Sequence, residues 1–141
     1  MGRVAATEED LRPLRIIAAA LITGPVLFLA LALYLRSNPE SVHRTRPPAD
    51  TLTWVSLFLG LAVIGTSVIL PRPRGGDIGR VRAHFIVRLA LVEGGSLFGT
   101  VAYLLEGQDF ALGISVLCIA VMLLLHFPTE ERVRRALAEP S

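Results

Sequence analysis

Phe85–Leu105 reads FIVRLALVEGGSLFGTVAYLL, an apolar stretch with one carboxylate, Glu93, near its middle. A bilayer-crossing helix needs about 20 mostly apolar residues, each adding about 1.5 Å to a hydrocarbon core about 30 Å thick. This stretch is long enough. A charge at the centre of such a helix costs about 2.5–3.5 kcal/mol on insertion scales, so an intramembrane acid is rare and faces protein or a cavity. Three further runs of similar length and character, near residues 16–35, 52–70 and 110–127, accompany the one at 85–105. The chain is therefore expected to be all-α, a polytopic protein with a single domain of four transmembrane helices.

Composition agrees. Of 141 residues, 52% are hydrophobic and 18% charged, and the mean hydropathy is +0.59. All fourteen basic residues are Arg, and the net charge is only +2. Without a basic soluble face the chain offers nothing for nucleic acid. The single cysteine, Cys118, lies within an apolar run and reads as a small hydrophobe. Glu8, Glu9 and Asp10 precede the first run, which is too long for the apolar core of a cleaved signal peptide.

Along the chain, residues 1–14 form a polar lead-in in which Thr7 and Asp10 resemble a capping box. The first span contains Thr23, Gly24 and Pro25, where a kink is expected because proline removes one helical hydrogen bond. A polar loop follows, then the second span, with Trp54 near headgroup level and Pro71 at its end. PRPRGGDIGRVR, at 71–82, reads as a basic turn. The link at 106–109 is so short that spans three and four should form an antiparallel hairpin. The tail at 129–141 can form an amphipathic surface helix with Val133 and Leu137 on one side. Arg residues set the orientation: three before the first span (Arg3, Arg12 and Arg15), four in the middle loop and three in the tail, against three and none in the other two loops. Both termini are therefore expected in the cytoplasm, with the chain in a bacterial inner membrane.

The first and third spans look alike. At an offset of 70 residues, Ile16, Ala20, Leu21, Gly24, Leu27, Phe28, Ala32 and Leu35 fall on Ile86, Ala90, Leu91, Gly94, Leu97, Phe98, Ala102 and Leu105. The pattern suggests a duplicated helical hairpin with its halves parallel, in which Thr23 takes the place of Glu93.

Candidate functional residues concentrate on the third span. Glu93, Ser96, Thr100 and Tyr103 follow steps of three and four and share one helical face. Gly95 and Gly99 form a GxxxG ridge on another face, suited to close helix packing. Glu93 can bind a proton or cation, or can bridge helices structurally. Arg88 is a possible charge partner, but its spacing of five from Glu93 requires that pairing to come from another helix or subunit. His43, His84 and His126 have no metal-ligand spacing, and no HExxH or CxxC occurs, so no metal or other cofactor is expected. No nucleophile triad or phosphate loop is present, so an enzyme is not expected.

One local pattern is similar to a known family. Arg82, Leu89, Ala90, Val92, Glu93, Leu97, Phe98, Gly99 and Val101 match the carboxylate helix of the rotary ATPase proteolipid, subunit c. That resemblance implies a proton- or sodium-carrying Glu93 and a ring of copies. It covers about twenty residues, and Arg88 stands where that family has a small residue. Over its full length the chain resembles the small four-helix membrane proteins, of unassigned role, that are common in bacteria. The expectation is an accessory or assembly subunit, partnered by lipid and by further copies or other membrane subunits. The alternative is a proton- or cation-handling component built on Glu93.

Overall fold

The computed structural model describes residues 8–38, 50–70 and 78–138. The cap expected at Thr7, His43 and most of both long polar loops lie outside these residues. The chain is all-helical: α1 (Glu8–Ser37), α2 (Thr51–Ile69), α3 (Ile78–Glu106), α4 (Asp109–Val121) and α5 (Glu130–Ala138), with a π-helical turn, Met122–His126, continuing α4. Four of the helices are long and apolar enough to cross a membrane.

The apolar run of α4 extends through the π-helical turn to His126 before Pro128 stops it. α2 ends at Ile69. Both are therefore about 27–28 Å long, one hydrocarbon thickness. In contrast, α1 and α3 run 30 and 29 residues, about 45 Å. Each begins well before the span that hydropathy marks. The extra turns carry a small apolar core at the α5 end of the bundle, where Leu11 and Leu14 of α1, Val81 and Phe85 of α3 and Val133 of α5 are buried together. The tail helix is thus docked by Val133 onto protein. Its outer side carries the i,i+4 pairs Glu130–Arg134 and Glu131–Arg135, worth a few tenths of a kcal/mol each at such exposure. α1 runs unbroken through Pro13 and Pro25.

α3 is the hub. It packs against α1, α2 and α4, whereas α1 and α2 scarcely touch. Twice as large a share of the apolar window is buried in α3 and α4 as in α1 and α2. α1 lies parallel to α3 on a single seam, Leu11, Leu14, Ala18, Ile22, Pro25 and Ala32. α4 returns antiparallel after a two-residue link in which Gly107 takes φ +73°, a conformation that favours glycine.

Orphaned backbone groups at the helix ends are met by charged side chains from other elements, or from further along the chain. Glu106, at the end of α3, accepts from the Leu52 and Thr53 amides at 2.7 Å each and from the Thr53 hydroxyl at 2.6 Å, capping the start of α2. Arg36 donates to the Tyr103 and Leu104 carbonyls at the end of α3. At the opposite end Arg88 donates to Leu70 O, and Arg132 donates to Leu124 O and Phe127 O.

Candidate functional site

The residues singled out on α3 divide between two sides of that helix. The inner side faces α4. A Cβ placed on Gly99 would stand 3.2 Å from both Ala111 O and Ser115 N, and one on Gly95 would stand 3.4 Å from Cys118 Sγ. The GxxxG ridge therefore brings α3 and α4 together within one molecule. Beside it, Ser96 and Thr100 converge on Ser115 of α4. Thr100 Oγ1 and Ser115 Oγ are 2.6 Å apart, the Ser96 and Ser115 hydroxyls 3.2 Å apart, and Ser115 Oγ donates to Ser96 O at 3.0 Å. All three side chains are buried. Such bonds in membranes average about 0.6 kcal/mol each. The network fixes the rotation of α4 against α3 and leaves no hydroxyl exposed to lipid.

Tyr103, next on the predicted stripe, is buried near the helix end with the Arg36 guanidinium 5.2 Å over its ring. Arg88 closes the C-terminus of α2, where its charge also complements the helix dipole. Neither residue is part of the Ser96–Thr100–Ser115 cluster.

Glu93 lies apart from that cluster. It is half-buried at the α1 boundary, with Oε1 3.5 Å from the place a Cβ on Gly24 would occupy. That distance is ordinary van der Waals contact, so the carboxylate lies directly against α1 at this level. Beyond Glu93 the helical wheel of α3 passes Leu97 and then a run of exposed residues, Val87, Ala90, Gly94 and Val101. A Cβ on Gly94 would meet nothing within 4 Å. This open side of α3 is bordered by α1 and α2, because those two helices flank α3 and scarcely touch each other. Thr23, the repeat counterpart of Glu93, is exposed and donates to Ala19 O at 2.7 Å.

Sequence reading alone did not bring Ser115, Thr66 or the Ser67–His126 pair forward. Ser67 Oγ lies 2.9 Å from His126 Nε2 in the π-helical turn, and both are buried. Single hydroxyls in apolar runs were the available signal; the α2–α3–α4 packing gives partners to Ser115 and to the Ser67–His126 pair and leaves Thr66 exposed. Among the described residues no group of three or more His, Cys, Asp or Glu is placed to hold a metal ion. No protein-family model, curated protein or solved structure matches the chain.

Proposed function

We propose that this chain is an assembly protein of the membrane, without a catalytic centre, that works by helix association along the open side of α3. One observation carries the reading: the third helix has two small-residue ridges, and only Gly95–Gly99 is covered within the molecule. The uncovered ridge, Ala90 and Gly94, lies in the lipid zone beside a carboxylate. Small residues let backbones approach in a bilayer, and polar side chains beside them strengthen the contact. The Arg distribution supports placing both termini in the cytoplasm. The protein extracted with its native lipids, without detergent exchange, is expected to run as an assembly larger than one 15.2 kDa chain. A monomer in native-lipid particles at every concentration tested would overturn the reading.

A second reading follows from the surroundings of Glu93. It sits against α1 one residue before Pro25, whose missing N–H leaves the Leu21 carbonyl without its helical donor. An acid against the turn of α1 that holds this proline suits a proton or small cation. If that is its role, Glu93→Gln abolishes ion flux in proteoliposomes that the unmodified protein supports; equal flux, or none from either, removes the reading.

A further inference from the structure

From the surface just described, we infer that the occupant of the open side of α3 is a second copy of this chain, related by a two-fold axis along the membrane normal, with Glu93 of each copy meeting Thr66 of the other. The inference rests on the association proposed above and adds the partner and its geometry.

The depth of Thr66 follows from three contacts. Thr53 meets Glu106, Val63 lies 3.6 Å from the Cβ position of Gly95, and Leu70 meets Arg88. α2 is therefore antiparallel to α3 in a fixed register, and Thr66 stands level with Val92, about 1.5 Å along the axis from Glu93. Its direction follows from the wheel. Gly60 faces Ile114 of α4, and Val63 faces α3. Continuing the same turn past α3, the next positions are Leu59, Thr66 and Val55, all exposed. Thr66 therefore borders the open side from the α2 wall, and Glu93 borders it from the α1 wall. Neither side chain enters a hydrogen bond among the described residues.

The open side is thus self-complementary. A two-fold axis along the membrane normal preserves depth and exchanges walls, so the α1 wall of one copy meets the α2 wall of the other. An acceptor carboxylate and a donor hydroxyl then face each other twice, at one level. The floor agrees. Val87, Ala90, Gly94, Leu97 and Val101 follow steps of three, four, three and four, the repeat of a parallel left-handed helix pair. With alanine and glycine at its centre, α3 can approach α3 of the second copy closely. A two-fold pair built this way closes on itself. An acid facing an acid, as a shift of one wall would give, has no such pairing.

Single cysteines placed along α3 test this in native membranes by oxidation with copper phenanthroline. Cys118 is buried, so the unmodified chain serves as the background. Ala90→Cys, Gly94→Cys and Val101→Cys are expected to form same-chain dimers at least tenfold above that background, and Leu91→Cys and Ala102→Cys are not. Thr66→Val, which keeps the side-chain shape and removes both bonds, lowers the Gly94→Cys dimer yield about tenfold. Folding is monitored separately by resistance to proteolysis. Adducts with a different protein at these same positions would overturn the second-copy inference and leave the assembly reading standing. A folded protein giving no adduct from any position would overturn both.

Discussion

At the scale of single residues, burial and partner decide what a polar side chain in the lipid zone does. Ser115 is buried and bonds both Ser96 and Thr100, while Thr23 faces outward and bonds only within its own turn. Ser115→Ala is expected to lower stability by about 1 kcal/mol, read by denaturant unfolding in bicelles. Thr23→Val should change it by less than about 0.5 kcal/mol. The sequence displayed Ser96 and Thr100 as one stripe with Glu93, because steps of three and four cover a broad face. Glu93 lies at the edge of that face, and the positions of α1 and α4 around α3 separate the acid from the hydroxyls. That placement comes from packing between helices far apart in the chain. It was not legible from the spacing within one helix.

At the scale of elements, hydropathy located the four spans because a bilayer demands long apolar runs, and it placed the α3–α4 hairpin because the link is short. The capping-box pattern in the lead-in pointed to a helix running into the first span, but hydropathy did not find the start of α3 at Ile78, before its span. The first turns of α1 and α3 are amphipathic, and their few apolar residues, Leu11, Leu14 and Val81, are buried by packing on one another, on Phe85 and on Val133 of α5. Helix ends were equally hidden. Asp50, next to α2, makes no side-chain cap bond, and the cap comes from Glu106, more than fifty residues later. Glu106→Ala is expected to cost about 1–2 kcal/mol, in the range of a lost N-cap. The effect is local: the Leu52 and Thr53 amides exchange faster with deuterium, while amides in the middle of α2 keep their protection. Uniform loss of protection along α2 would contradict a capping role.

At the scale of the whole molecule, the fold is a hub with three spokes. α3 contacts every other span, and the remaining contacts are weaker or absent between α1 and α2. The offset of 70 that aligns the first and third spans also matches the levels at which α1 and α3 lie side by side, as with Ala32 near Ala102 and Gly24 against Glu93. Two parallel helices entering at the same depth would show this correspondence whatever their ancestry. What the arrangement does decide is the division of α3 into a covered ridge and an open one. GxxxG read from sequence promises close packing without saying whether the neighbour is α4 or another molecule. Here Gly95 and Gly99 go to α4 and α2, and Ala90 and Gly94 remain for a partner.

Bulky substitution on each ridge in turn tests that division. Gly99→Leu drives a side chain into the Ala111 and Ser115 backbone and is expected to lower stability by about 3 kcal/mol or more. Gly94→Leu, into open space, should retain the unfolding midpoint of the unmodified protein while its self-association in native-lipid particles falls at least tenfold. A Gly94→Leu protein that unfolds as readily as Gly99→Leu, or that associates as strongly as the unmodified chain, would contradict the account.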